Sequence, residues 1–325
     1  MHGLVTVFGG SGFVGGQVVR ALAKRGLRIR VAVRNPGLGY KLRMLGDVGQ
    51  IEVVQANIRM PASVARALEG AEACVNLVAV MHERGRQKFQ SVHAMGARNI
   101  AEAAKAAGVT RLVHVSAIGA DAESESKYAR TKAMGEAAVR EVMPSTTILR
   151  PSIVFGQEDD FFNRFARMAS AAPVLPLIGG GHTRFQPVFV GDVANAVATC
   201  LLEAGTVGKT YELGGPGVFT FKALMERVCQ EIGRTPFLVP VPFGVASLIG
   251  IGGDLVNLQP FPIAPPLTTD QVILLRADNV VAPGALGLAD LKIVPTALEP
   301  ILPTYLYRYR KGGQYAEQLT AAAKA

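Results

Sequence analysis

Cysteine is scarce in this chain: three among 325 residues, Cys74, Cys200 and Cys229, each inside an apolar stretch. An odd, scattered set excludes a disulfide framework and points to reduced thiols in a cytoplasmic compartment. Histidine is also sparse, at five, and no Cys or His pair has metal-ligand spacing, so no metal site is expected. No window offers about twenty uninterrupted apolar residues, which argues against a membrane-spanning helix. The first strand begins at Gly3 or Leu4, leaving no room for a signal or transit peptide, and the expectation is a protein that faces the cytosol as translated or is already processed. Acidic residues are outnumbered, 25 against 34 Lys and Arg, for a formal charge of +9. The excess favours contact with something anionic, whether nucleotide, lipid headgroups or an acidic partner, or else is a general property of the surface. No basic motif or reading helix accompanies it, so nucleic acid is not an expected partner.

What the chain does have is a glycine turn in an informative place. Val5 to Phe8 reads as an apolar strand, Gly9-Gly10-Ser11-Gly12-Phe13-Val14-Gly15 as a turn, and Phe13 to Arg25 as a helix. Gly9 permits the tight turn, Gly12 lets backbone N–H groups approach a pyrophosphate, and Gly15 lets the helix pack on the strand. Phosphate then sits at the positive end of the helix. A second strand, Arg28 to Val33, ends at Arg34 where a site for NAD normally has an acid. A guanidinium there suits the 2′-phosphate of NADP(H). Otherwise Arg34 is a solvated strand end, and Lys41 or Arg43 takes that role.

With 49% hydrophobic residues the chain can build a substantial core. Strand-like runs near 4–8, 29–33, 51–55, 73–78, 111–116 and 146–150 alternate with helical patterns, which predicts an α/β fold, a doubly wound parallel sheet with helices on both faces. The pattern returns at Pro187–Val190, at Asp192–Leu202 with Asp192 as helix N-cap, and at Tyr211–Leu213. We therefore expect a nucleotide domain of 1–155 plus 188–213, a smaller and mostly helical lobe of 156–187 plus 214–300 over the cleft, and a basic aromatic tail of 301–325. In the lobe, Phe161, Phe162, Phe165 and Phe185 read as core first and pocket second. Between Arg234 and Arg276 there is no basic residue, and the apolar helix Phe243–Ile251 is too short and glycine-broken to span a bilayer. It packs inside the lobe or lies exposed on a membrane or partner. In the tail, Tyr305 to Lys311 interleaves aromatics with cations, a composition suited to a headgroup interface or an acidic protein surface.

Tyr128 and Lys132 stand one helical turn apart, on one helix face. An ammonium beside a phenol stabilises the phenolate and lowers the tyrosine pKa, making it a usable acid or base. Ser116, at the end of the strand Leu112–Val115, would hold a carbonyl oxygen. Ser116, Tyr128 and Lys132 are thus the candidate catalytic set for hydride transfer. Tyr307 and Lys311 share the spacing but follow no sheet strand, and we treat that pair as accidental.

These residues resemble the short-chain dehydrogenase/reductase superfamily in its extended, atypical branch. The likeness rests on the glycine turn, Ser116, Tyr128 with Lys132, and the segment Arg150 to Gly156, which in such folds passes beside the nicotinamide. Within the superfamily the chain is similar to the nucleotide-binding accessory subunits of respiratory complex I, through Tyr128–Glu136, Pro151–Arg164 and Gln186–Val190. The resemblance implies a tightly held NADPH that stabilises structure, complex I subunits as partners, a peripheral position at the cytoplasmic face of the inner membrane, and no demonstrated turnover. It implies cofactor contacts from Phe13 and Val14 beside the glycines, from Pro151 and Ile153, and from Tyr128 and Lys132 through the ribose. Asn57 stands where extended members often have Asp near the adenine, and Ala79 and Val80 replace a more usual glycine. The alternative is a free NADPH-dependent reductase of an apolar carbonyl or quinone-like substrate; a redox-sensing regulator is a third class.

Overall fold

Val7 and Phe8, Val31 and Ala32, and Cys74 and Val75 are successive residues that point to opposite faces and are all buried, the condition of strands covered by helices on both faces. Each fully buried Val, Leu or Ile contributes about 1.5–3 kcal/mol of hydrophobic stabilisation, so such runs decide the architecture. The computed structural model describes residues 3–257 and 267–315. In chain order, the first half runs β1 (Leu4–Phe8), α1 (Phe13–Ala23), β2 (Arg28–Val33), β3 (Ile51–Gln55), α2 (Pro61–Leu68), β4 (Ala71–Asn76), a π-type turn at Gln90–Ala94 leading into α3 (Met95–Ala106), β5 (Arg111–Val115), α4 (Lys127–Val142) and β6 (Thr147–Pro151). There follow β7 (Val154–Phe155), α5 (Phe161–Ala171), β8 (Val174–Ile178), β9 (Arg184–Phe185), β10 (Val188–Phe189), α6 (Val190–Leu202) and β11 (Thr210–Leu213). The last elements are β12 (Phe219–Thr220), α7 (Phe221–Ile232), β13 (Phe237–Val241), α8 (Phe243–Asn257), α9 (Thr269–Leu274) and α10 (Pro303–Leu306).

Seven strands form one parallel sheet in the order β11-β6-β5-β4-β1-β2-β3. The order reverses between β1 and β4, the switch point outside which open α/β sheets bind ligands. The doubly wound expectation is met, with the first six strands within two residues of their predicted positions. Packed on one face are α1 and α6, through Val18, Leu22, Val193 and Val197, and on the other α2, α3 and α4, through Val64, Ile100 and Val139. At the far edge, Arg150 of β6 forks onto Glu136 of α4, with Nε to Oε1 at 2.9 Å and a second contact of 2.7 Å, and reaches Glu212 of β11 at 3.5 Å.

A second core gathers α5, α7 and α10 around Phe155, Phe162, Phe185, Phe221 and Tyr305. Phe161, Phe162, Phe165, Phe185 and Phe221 meet mostly edge to face at 5.1–6.3 Å, so these rings are core, as their spacing predicts. This lobe also has two short sheets, parallel β8 with β13 and antiparallel β9 with β12, which the helical reading omits. The β9–β12 pair is two residues long and leaves no alternation to read, while β8 and β13 each carry a proline, a residue that argues against a strand.

Three expectations are corrected. Leu286, Leu288, Leu291 and Ile293, assigned from sequence to the lobe, pack in the core of the sheet, and Leu286 O accepts from Glu212 N at 2.8 Å. Asp192 does not cap α6; it sits in the first turn and accepts from Thr296 N and Oγ1, tying that later segment down. The aromatic tail turns inward: Tyr305 is buried, Tyr309 Oη donates to Asn163 Oδ1, and Arg310 Nε donates to Glu231 O. Of the apolar stretch, Ala246 packs with Ile178 and Val272, while Leu248, Ile249, Ile251 and Leu255 are exposed. Pro260, Pro262, Pro265 and Pro266, and tail residues 316–325, lie outside the described residues.

Candidate functional site

The glycine turn lies at the switch point and obeys the steric logic of its spacing. Gly9 has φ +82°, and a Cβ there would lie 3.2 Å from Leu77 C and Val78 Cγ2 on the segment leaving β4. A Cβ on Gly15 would fall 2.3 Å from Gly9 O and 2.6 Å from Gly10 Cα, so only glycine lets α1 approach so closely. At Gly12 the nearest atom to a Cβ is Gly9 O at 3.5 Å, ordinary contact, which leaves space beside the backbone. Gly12 is the N-cap of α1 and no side chain caps the helix. Uncapped N–H groups at a helix start are anion donors. Phe13 packs against Gly156, where the chain leaves the sheet for the lobe, and Val14 packs against the core of the sheet.

Arg34 is exposed just beyond β2, and its guanidinium has no hydrogen-bond or ion-pair partner among the described residues. Its carbonyl accepts from Gln55 Nε2 at 3.4 Å, which sets the ends of β2 and β3 side by side. Arg43, the sequence's other candidate, lies over the Tyr40 ring at 5.1 Å. Asn57 follows β3; its N–H bonds Ser63 Oγ and its Oδ1 accepts from Arg59 N. Ala79 lies between Val78, which abuts Gly9, and Val80, whose N–H donates to His93 Nε2 at 3.0 Å.

The structure brings Ser116 and Lys132 together at the end of β5. Lys132 is buried on α4 and its ammonium donates to Val115 O at 3.0 Å. Ser116 N donates to Leu149 O at 2.7 Å, while its Oγ is buried without a hydrogen-bond partner. Tyr128 lies one turn before Lys132, edge-on to the His93 ring at 5.3 Å and to Phe89 at 5.8 Å. Pro151 O accepts from Ile118 N at 3.0 Å, and Ile153 O from Val188 N at 2.9 Å, so both flank this strand end. Tyr307 and Lys311, the second pair of equal spacing, lie in the tail on the lobe, Tyr307 exposed.

The electrostatics correct one expectation. Burial, with the Asp270 carboxylate nearby, pushes the Tyr128 phenol up to about 12, so its neighbour Lys132 does not give a depressed tyrosine. Burial pushes Lys132 down to about 8 against the opposing pull of Glu136, and the ammonium stays charged at neutral pH. His93 and His114 are held near 3 by burial and by Lys132. Both rings are therefore neutral. Since His93 Nε2 accepts from Val80, its Nδ1 carries the proton and donates to Thr131 Oγ1 at 3.1 Å. His93 thus locks the β4 exit to α4 and lends its ring to Tyr128.

Two site residues carry no sequence signal. A single histidine on a helix face reads as core, and His93 speaks only through its partners. Asp270 lies 142 residues from Tyr128, yet its carboxylate accepts from Ser126 Oγ at 2.9 Å, Lys127 N at 2.6 Å and Tyr128 N at 3.2 Å. The orphaned Ser116 hydroxyl, the spare donors of the Lys132 ammonium, the uncapped α1 and the free Arg34 together fit a dinucleotide: phosphates at α1, ribose and nicotinamide at Tyr128, Lys132 and Ser116.

Residues 5–214 match the NAD dependent epimerase/dehydratase family. NADH dehydrogenase (ubiquinone) 1 alpha subcomplex subunit 9, mitochondrial, of Arabidopsis thaliana is 37% identical over 316 residues, 95% of this chain and 79% of that protein. A ceramide reductase of Caulobacter vibrioides is 33% identical over 242 residues, 74% of each chain. Among solved structures, the Citrobacter sp. triphenylmethane reductase superposes with a TM-score of 0.73 at 23% identity, covering 93% of this chain and 99% of that one, a likeness of fold.

Proposed function

The chain belongs to the NAD dependent epimerase/dehydratase family, in the group of the NADH dehydrogenase subunit 9 proteins, and from that membership we propose that it is a nucleotide-binding accessory subunit of respiratory complex I. In this reading NADPH is held mainly as a structural cofactor, and the protein docks on the peripheral arm at the cytoplasmic face of the inner membrane. The observation that carries it is the extent of the likeness to subunit 9, which runs through the lobe and not only the glycine turn. Two features of the structure support it. Tyr128 is held in its neutral form, suited to hydrogen-bonding a ribose and not poised as a base. The lobe presents Phe237, Leu248, Ile251 and Leu255 to solvent, an apolar face for a membrane-proximal partner or lipid surface. Among the described residues no helix is long and apolar enough to cross a membrane, so the attachment proposed is peripheral.

NADPH is preferred over NADH in this proposal because Arg34 is free where an acid would take the ribose hydroxyls. A charge-assisted contact of about 1.5–3 kcal/mol corresponds to roughly ten- to a hundredfold in affinity. Arg34→Glu should therefore lose NADPH by that factor while sparing NADH, measured by nucleotide fluorescence titration. The assembly test is mass spectrometry of complex I purified from source membranes in mild detergent, before and after a high-salt wash. Stoichiometric retention is expected; absence from both preparations rejects the subunit reading.

One observation favours a second reading, a free reductase of an apolar carbonyl or quinone-like compound. Ser116 Oγ is buried and unpartnered beside Lys132, and Tyr128 is protonated, as a proton donor to a carbonyl oxygen must be. NADPH, when bound, supplies the hydride; Lys132 would hold the ribose and Ser116 the carbonyl. A relative named for ceramide reduction makes a ceramide-type lipid the first substrate to try. NADPH oxidation that requires both the lipid and the Tyr128 hydroxyl, tested with Tyr128→Phe, would establish this reading.

A further inference from the structure

The N-terminus of α4 is held by the other lobe. Asp270, in the first turn of α9, takes three donors from Ser126, Lys127 and Tyr128, at 2.6–3.2 Å. A carboxylate at a helix N-terminus satisfies orphan N–H groups and complements the dipole, so these contacts fix where α4 begins and how it presents Tyr128. Behind Asp270, α9 is itself built firmly. Thr268 and Gln271 form a reciprocal capping box, and Thr269 N donates to Asp254 Oδ2 of α8 at 3.3 Å. A Cβ on Gly250 would fall 2.8 Å from Thr269 N and 3.0 Å from Thr268 C, so α8 lies backbone to backbone on the start of α9. Val272 and Ala246 share a small core with Ile178. Helix α8 is the element that exposes Leu248, Ile251 and Leu255. Elsewhere the lobe meets the site through Asn279, whose Nδ2 donates to Ile118 O at 3.3 Å, and through the exposed pair Arg276–Glu125 at 3.9 Å.

We infer that Asp270 is a positioning residue for the nucleotide site and the link by which an occupied site orders the apolar helix α8. The inference rests on the nucleotide reading above. A dinucleotide that engages Tyr128 and Lys132 restrains α4; through Asp270 the restraint passes to α9, and through Gly250 and Asp254 to α8. Linkage makes the coupling reciprocal, so anything that holds α8 in place tightens nucleotide binding.

Hydrogen exchange of the full chain, with and without NADPH, tests this in wild type and Asp270→Asn. An asparagine has a single side-chain oxygen, so it cannot accept at both the Lys127 and the Tyr128 N–H, and at least one of the three contacts is lost. Three results are expected: at least tenfold faster exchange of the Lys127 or the Tyr128 amide in the variant without ligand, NADPH affinity lowered fivefold or more, and NADPH-induced protection of 243–257 and 268–275 in wild type that the variant lacks at saturating nucleotide. The Tyr128 phenol should also titrate lower in the variant, read as the ultraviolet difference from Tyr128→Phe, because the neighbouring carboxylate charge is gone. Equal affinity with equal protection of α8 and α9 in both proteins overturns the inference. If wild type binds no NADPH, the nucleotide reading fails and the coupling with it, whereas unchanged Lys127 and Tyr128 exchange refutes the positioning role alone.

Discussion

Gly12 and Gly15 stand three residues apart and are required for different reasons. At Gly15 a methyl group would drive into Gly9 O at 2.3 Å, a backbone atom that cannot swing aside. At Gly12 a side chain has room, and its φ of −80° suits any residue. An aspartate there is a good N-cap for α1, worth up to about 1 kcal/mol, yet it sets a negative charge where a pyrophosphate must lie. Gly12→Asp should therefore keep or raise the thermal midpoint while weakening NADPH more than tenfold. Gly15→Ala should lose about 1–3 kcal/mol of stability or fail to fold. Thermal melts paired with nucleotide titration separate the two; equal nucleotide affinity in Gly12→Asp and wild type would remove the phosphate from the start of α1.

At the scale of elements, legibility in the sequence follows the range of the interactions. Strands β1 to β6 are legible because burial concentrates apolar and β-branched residues in short runs that alternate with helical patterns, and the turn at Gly9 because each glycine answers a local steric need. Tyr128 and Lys132 are legible because a helix places neighbours in space at fixed spacing. The tail is less legible for the opposite reason: alternating aromatics and cations fit an external surface and an internal seam equally well, and the partners deciding between them are distant in sequence. Tyr305 Oη donates at 2.5 Å to Asp159 Oδ2, a buried carboxylate that also accepts from Gly156 N, Phe162 N and Asn163 N. Burial pushes that carboxyl above its ordinary range, and the four donors hold it back. The short helix α10 is thereby tied to the start of α5. A hydrogen bond to a charged group contributes about 1.5–3 kcal/mol, so Tyr305→Phe should lower the unfolding free energy from urea titration by that much while leaving NADPH affinity unchanged. A loss of nucleotide affinity in this variant would mean that the tail supports the cleft as well as the lobe.

For the whole molecule, the site imposes a cost that appears in acid. His93 and His114 lie fully inside, bonded in neutral form to Val80, Thr131 and Asn76, and each is held near 3 against an ordinary value of about 6.5. Between these values the unfolded chain binds protons that the native protein refuses, so stability falls as pH drops below about 6.5 and is fully retained above it. By pH 5 the linkage amounts to about 2 kcal/mol for each histidine, a large part of a domain's usual margin of about 5–15 kcal/mol. Lys132 bends the curve at the other end: with its ammonium held near 8, burial of that charge is relieved as pH rises from about 8 towards 10.5, and stability increases there. Denaturant titrations from pH 5 to 9 should show the steepest loss between pH 6.5 and 5. A wild-type curve flat over that interval would mean that the histidines protonate in place. His93→Gln and His114→Gln should each flatten the slope by about half, even where the substitution lowers stability at pH 7.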